Sequence, residues 1–236
     1  MSGNSVILID IGNTSVTIGL GRGKRVGGIR RMPSYNSDNE RKKLLATILG
    51  KIKPEGCVIA SVVPSLTEKW TGAVKKMTGL KSMLVSHRMD IGVAIDYPRP
   101  STIGADRLAN ASGAVARYGY PVIVADFGTA LTFDIISGKG AYIGGVIAPG
   151  LPFMTDYLFE KTALLPRLRI GGKQTGIGKS TEHAMRIGAK FGYRGMVREI
   201  TEHLIKQLGT KKVTLCATGG LARWALKGLK MKFHCD

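Results

Sequence analysis

The chain has 236 residues, 44% hydrophobic and 22% charged, which excludes a disordered polypeptide and suffices for two domains of ordinary size. No apolar run approaches the roughly 20 residues that span a bilayer, and the N-terminus lacks the pattern of a secretory leader, so cytoplasmic residence is expected. Thirty-five Lys and Arg against 16 Asp and Glu give a formal charge of +19, which points to an anionic ligand without saying which.

The first apolar run, Val6 to Ile9, leads into the turn DIGNTS at Asp10 to Ser15 and a second β-prone run, Val16 to Leu20. A third strand is expected near Arg25 to Met32, then a helix from about Asn39 to Lys51. Ser37 and Asp38 are both candidate caps for it, since a short side-chain oxygen accepts a hydrogen bond from a first-turn N–H. Cys57 to Val63 reads as a buried strand closed by Pro64, followed by a helix from about Ser65 to Thr78 and a strand from Ser82 to Ser86.

After a Pro-containing connection, Asp96 to Thr102, a helix of small and apolar residues runs from about Ala105 to Tyr118. The scheme then repeats. Strands are expected at Val122 to Ala125, Leu131 to Ile136 and Ala141 to Ile147, then a helical region, a strand at Lys212 to Ala217 and a helix after Gly220. The second copy carries an insertion over about 149–209, with a long helix from about Thr181 to Leu208.

The turn recurs as well. DFGTAL at Asp126 to Leu131 shares with DIGNTS the pattern Asp, any residue, Gly, any residue, Thr, and the two aspartates stand half a chain apart. Strand triplets followed by alternating helices and strands indicate an α/β fold of duplicated ribonuclease-H-like domains, 1–118 and 119–236, with an interdomain cleft as the ligand site. Two such turns facing one cleft would grip a polyphosphate, which makes nucleotide-dependent phosphoryl transfer the leading expectation.

At the first turn Gly12 allows close backbone approach, Asn13, Thr14 and Ser15 offer donors, and Asp10 supplies hard oxygens suited to Mg²⁺ directly or through water. The same residue types also suit an ordinary hairpin turn; the second copy tips the balance toward phosphate. Asp126 and Thr129 offer a carboxylate and a hydroxyl in the second turn, whereas Asp134 reads as a solvated strand residue rather than a further polar contact. Gly104-Ala105-Asp106-Arg107 opens a helix with a carboxylate beside a guanidinium. Arg107 suits an anionic substrate group and Asp106 a proton acceptor, although an acidic residue in a first helical turn has a purely structural use too.

Gly144-Gly145, Pro149-Gly150 and Thr218-Gly219-Gly220 look like close backbone approaches whose role stays open. GGKQTGIGKS, Gly171 to Ser180, fails as a P-loop because Lys173 stands where the first glycine belongs. The sequons at Asn13 and Asn110 carry no weight without a secretory signal, and Cys57, Cys216 and Cys235 read as reduced structural thiols. Four scattered histidines give no zinc motif. The basic residues lie at Lys24 to Arg31, Arg41 to Lys43, Lys75, Lys76, Lys211 and Lys227 to Lys232, with few aromatics for base stacking, which disfavours nucleic acid as a partner.

Taken in order, DIGNTS, SVVP (Ser61 to Pro64), DYPRPSTIGADR (Asp96 to Arg107), DFGTALTFD (Asp126 to Asp134), GGVIAPGL (Gly144 to Leu151), TALLP, GKSTEHAMRIG (Gly178 to Gly188) and ATGG resemble type III pantothenate kinases of the acetate and sugar kinase, Hsp70 and actin superfamily. The resemblance runs from about residue 6 to 220 and implies an actin-like ATPase fold that phosphorylates pantothenate with ATP on its primary hydroxyl, the first step toward coenzyme A. It implies that Asp10, Ile11, Gly12, Asn13, Thr14, Ser15, Val16 and Thr17 embrace the ATP phosphates and Mg²⁺, with Thr129 also at ATP. Asp126 would bind a monovalent cation, K⁺ or NH₄⁺, and Tyr97, Gly104, Ala105, Asp106, Arg107 and Thr181 would line the pantothenate pocket, with Asp106 as catalytic proton acceptor. A homodimer with a pocket completed across the interface is also implied.

The chain departs from the family at its end, where the strand expected after the TGG helix is either missing or cut short, and in its charge. Two other functions compete: a kinase for another small hydroxy acid, and a non-catalytic relative that regulates or binds a partner. Intact Asp10, Asp106 and Asp126 argue against the second.

Overall fold

The computed structural model describes residues 5–169, 171–172, 174–210 and 212–235, so the readings that fall on Lys173 and Lys211 lie outside the described residues. The chain forms two compact units, Met1–Ile91 with Arg99–Ala109, and Gly92–Pro98 with Asn110–Asp236.

The first unit begins with β1 (Ser5–Ile11), β2 (Ser15–Arg22) and β3 (Arg25–Pro33), a meander of antiparallel neighbours. Ile7, Ile9 and Ile11 alternate into the core, as the two-residue period of a strand requires. Helix α1 (Asp38–Leu49) follows, then β4 (Gly56–Ser61), α2 (Pro64–Thr78) and a two-residue β5 (Met83–Leu84), shorter than the Ser82 to Ser86 run that its sequence suggests. Ser37, not Asp38, caps α1: its Oγ accepts from the Glu40 N–H while the Glu40 carboxylate accepts from the Ser37 N–H, a reciprocal capping box. Pro64 opens α2, where a missing N–H costs nothing. Leu66, Trp70 and Val74 recur every four residues, so α2 buries one face. Each such side chain contributes about 2 kcal/mol by leaving water. Among the described residues the sheet order is β3-β2-β1-β4-β5, with β4 parallel to β1 and to β5.

The second unit holds β6 (Ala94–Ile95), β7 (Val122–Phe127), β8 (Ala130–Ile136), β9 (Ala141–Pro149), α4 (Leu151–Lys161), α5 (Thr181–Leu208), β10 (Thr214–Thr218), α6 (Ala222–Leu226) and β11 (His234–Cys235). Helix α3 (Ala105–Tyr118) contains the point at which the chain passes from the first unit to the second. The sheet order is β11-β10-β7-β8-β9-β6 among the described residues. Leaving β6 aside, the order and directions repeat those of the first unit: an antiparallel triplet, then two parallel strands. The duplication read from the two turns is thus a duplication of topology. The final strand is present as β11, paired in parallel with β10, which corrects the alternative that this element is missing.

Candidate functional site

The first turn joins β1 to β2, with the Gly12 N–H donating to the Ser15 carbonyl at 3.0 Å. Asp10 sits opposite Thr17 in the β1–β2 register and is exposed, as are Asn13 and Thr14. Ile11 and Val16 are fully buried, so they anchor the turn and can meet a ligand through backbone alone. Hydrogen bonds from the end of β3 and the residue after it tether this turn. Ser34 Oγ donates to the Gly12 carbonyl at 2.6 Å, the Ser34 N–H to the Thr14 carbonyl at 3.0 Å, and Arg31 Nε to Ser15 Oγ at 2.7 Å.

The second turn joins β7 to β8, and the Gly128 N–H donates to the Ala130 carbonyl at 3.1 Å. Asp126 is the penultimate residue of its strand, as Asp10 is of β1, and is half-buried. Asn110 on α3 donates its side-chain amide to Asp126 Oδ2 at 2.9 Å. Backbone packs this turn from two sides. A Cβ at Gly150 would run into the Thr129 carbonyl, and one at Gly219, whose φ is +92°, would stand 2.7 Å from Asp126 Oδ1 and from the Phe127 backbone. Beneath lies Tyr193 of α5, its ring edge-on to Phe127 at 6.3 Å. Burial pushes the Tyr193 hydroxyl up to about 12, with the Asp126 charge acting in the same direction, so it stays protonated.

Asp106 lies in the first turn of α3. Its Oδ1 accepts from the Arg107 N–H at 2.7 Å, and a Cβ on Gly104 would come within 2.5 Å of that oxygen. Gly104 therefore makes room for the carboxylate to fold back over the helix start. Tyr97 is half-buried, edge-on to Tyr142 at 6.1 Å and beside Gly144. Thr181 is exposed as the first residue of α5, behind the cap Ser180, whose Oγ accepts from the His183 N–H.

Asp134 overturns its expected solvation. It is wholly buried, and Tyr142 donates its hydroxyl to Oδ1 at 2.9 Å. Alternation places Asp134 on the face of β8 opposite Leu131, Phe133 and Ile135, but from Phe133 to Ile136 both faces are buried, and there the tyrosine supplies a partner that water would otherwise provide. Cys57 and Cys216 are buried, whereas Cys235 is exposed.

No group of three or more His, Cys, Asp or Glu side chains able to hold a metal occurs among the described residues. Isolated carboxylates at glycine turns fit a cation that arrives with phosphate and keeps most of its water, as Mg²⁺ does, better than a resident metal caged by protein. Gly128 adds to this fit. Its backbone is not left-handed, and a Cβ there would meet only ordinary contacts, 3.6 Å from the Ala130 carbonyl, so the protein itself does not demand a glycine. No helix among the described residues is long and apolar enough to cross a membrane.

Sequence reasoning singled out Gly150 and Gly219 without a role and passed over Asn110, Ser34 and Tyr193 as functional residues. Asn110 drew notice only as a sequon, although an Asn within an alanine-rich helical stretch is itself a signal.

The sequence model of type III pantothenate kinases matches residues 6–203. A type III pantothenate kinase of Akkermansia muciniphila is 42% identical over 231 residues, covering 98% of this chain and 92% of its own length. One from Methylacidiphilum infernorum is 41% identical over 226 residues, covering 95% and 81%. Among solved structures, a ROK family glucokinase from Streptomyces griseus in complex with glucose and AMPPNP has a TM-score of 0.53 at 16% identity, over 95% of this chain and 86% of its own. That likeness is one of fold, and the fold is the actin-like ATPase fold.

Proposed function

The chain belongs to the type III pantothenate kinase family and so phosphorylates pantothenate with ATP in coenzyme A biosynthesis, and we propose that its two acidic turns and the start of α3 carry that reaction. The exposed donors of Asn13 and Thr14, with Gly12, Ser15, Thr17 and the backbone of Ile11 and Val16, hold the ATP phosphates, and Thr129 contributes its hydroxyl. Asp10, exposed at the end of β1, reaches the nucleotide's Mg²⁺ through water. That ion, when bound, spreads the negative charge that builds on the transferred group. Asp126 holds K⁺ or NH₄⁺.

Tyr97, Gly104, Ala105 and Thr181 line the pantothenate pocket, and Arg107 fixes the substrate carboxylate with its planar fork. The pantothenate hydroxyl attacks the γ-phosphorus in line; the new O–P bond forms as the bond to the β,γ-bridging oxygen breaks and ADP leaves, while Asp106 takes the hydroxyl proton. A homodimer is supported by the exposed apolar residues of α4, Phe153, Tyr157, Leu158 and Phe159, an unusual density for a short helix left to water. A cytoplasmic location suits an enzyme that draws on ATP.

The observation that carries this reading is Asp106: its Oδ1 is tied to the Arg107 amide, which aims the carboxylate from the helix start. Asp106→Asn keeps the shape and that bond but cannot take a proton. Turnover on pantothenate should fall about 10²- to 10⁴-fold with ATP binding nearly unchanged. Equal turnover in the two proteins would remove Asp106 from the chemistry, and a faster rate on another hydroxy acid in the same assay would redirect the substrate.

A further inference from the structure

Arg30 and Arg31 are neighbours on β3 with different uses. Strand alternation sends them to opposite faces, and Arg30 spends a terminal nitrogen on the carbonyl of Ile29, its own neighbour, at 3.1 Å. Arg31 stands opposite Thr17 of β2, and Thr17 stands opposite Asp10 of β1. Residues directly across a sheet share a face, so a carboxylate, a hydroxyl and a guanidinium form one row across three strands. The row lies on the more open face: Ile9, Ile11, Val16 and Ile18 on the flanking positions are buried, whereas Asp10 and Arg31 are exposed. From its place in this row the Arg31 side chain leans diagonally to Ser15, two residues nearer the turn than Thr17, where Nε donates to Oγ at 2.7 Å.

A guanidinium held by Nε keeps its two terminal nitrogens as a planar fork, the edge that meets two oxygens of a phosphate. Among the described residues Arg31 makes this one hydrogen bond, so the fork is not spent on protein. Asp10 can meet phosphate only by way of a cation, whereas a guanidinium meets phosphate oxygens directly. We propose that Arg31 is a further phosphate-binding residue: the bond from Nε to Ser15 Oγ sets its direction, and the terminal nitrogens take two oxygens of the nucleotide's phosphate chain beside the first turn. The proposal rests on the reading of that turn as the ATP phosphate site. It adds a direct positive contact from a strand outside the turn.

The test measures KM for ATP, and inhibition by inorganic triphosphate and by adenosine, in wild type, Arg31→Ala, Ser15→Ala, Asn13→Ala and Arg22→Ala. Arg31→Ala should raise KM for ATP and the inhibition constant of triphosphate about 30-fold. Inhibition by adenosine and KM for pantothenate should stay within about twofold of wild type, because neither ligand offers a phosphate to the fork. Ser15→Ala removes the acceptor but leaves the guanidinium, and should cost only about threefold. Arg22→Ala loses the same kind of bond, Nε to Ser5 Oγ at 3.0 Å, at the far end of β1 and β2, and should bind triphosphate as wild type does. A tether without phosphate contact would make Ser15→Ala at least as harmful as Arg31→Ala, and that result overturns the proposal. Equal harm from Arg22→Ala overturns it too, since the effect would then be one of net charge. If Arg31→Ala responds to triphosphate as wild type does while Asn13→Ala does not, Arg31 is excluded and the turn keeps its phosphate. If Asn13→Ala, Ser15→Ala and Arg31→Ala all respond as wild type does, the reading of the turn falls and takes this inference with it.

Discussion

The turn after β1 and the turn after β7 occupy equivalent places in equivalent sheets, yet they are held by different means. At the first, Ser34 and Arg31 reach in with hydrogen bonds, and Asp10, Asn13 and Thr14 remain exposed. At the second, the backbone of Gly150 and Gly219 packs against the turn, and Asn110 pins the half-buried Asp126. A polar tether at a solvated edge would let a turn adjust to the nucleotide proposed to bind and leave there with each cycle. Steric packing without side chains leaves little freedom, so the cation proposed at Asp126 would meet a turn already fixed in place. One duplicated frame thus yields an adjustable grip and a rigid notch.

The largest effect should come from breaking the rigid notch. Gly219→Ala must place a Cβ against the Phe127 backbone at a φ of +92° and should cost about 3 kcal/mol of stability, seen as a lower midpoint in urea unfolding. Gly128→Ala, in the same turn but without such a contact, should cost less than about 1 kcal/mol while impairing turnover. The pair sharpens the comparison, because it separates a glycine needed by the fold from one needed by the ligand. Equal destabilisation by the two would erase the distinction.

A smaller loss is expected at the adjustable grip. Ser34 is fully buried, and Ser34→Ala leaves the Gly12 carbonyl without its donor, at a cost of about 1 kcal/mol. The KM for ATP should rise with little change in the K⁺ requirement. A shift in K⁺ requirement instead would mean that the first turn does not act on the nucleotide alone.

The frame was legible in the sequence because it is written locally: apolar runs with a two-residue period, an Asp-x-Gly-x-Thr turn, and a helix start at Gly104 to Arg107. α3 and α5 run over the residues that periodicity suggested. What holds the turns was illegible because it comes from far along the chain. Gly219 meets Asp126, and Ser34 meets Gly12, only once the sheets are assembled. Asp134 was misread for the same reason: a strand carboxylate looks solvated until Tyr142, on the neighbouring strand, proves to be its partner. β11 was hard to see because two residues carry no period.

The smallest effect tests whether the tether of the first turn extends into α1. Two residues after Ser34 stands Asn36, whose side-chain amide donates to the Ser34 carbonyl at 2.9 Å, and Arg41 donates to the Asn36 carbonyl at 2.7 Å and pairs with Asp38. Bonds from Ser37 hold the Glu40 carboxyl below its ordinary value, and the Arg41 guanidinium does the same for Asp38. Lowered values in the folded protein mean that the unfolded chain binds these protons more tightly. The stabilisation is therefore complete above the ordinary values of 4.5 and 3.8 and is lost as pH falls below them. Glu40→Gln should melt lower than wild type at about pH 6, with the gap closing toward about pH 3 as the wild-type carboxyl gains its proton. Because Gly150 and Gly219 pack against the second turn through backbone that does not titrate, amide exchange should speed up with acid at residues 12–15 more than at 128–130, after correction for the intrinsic pH dependence of exchange. A parallel rise at both turns would mean that the capping box has no special connection to the first.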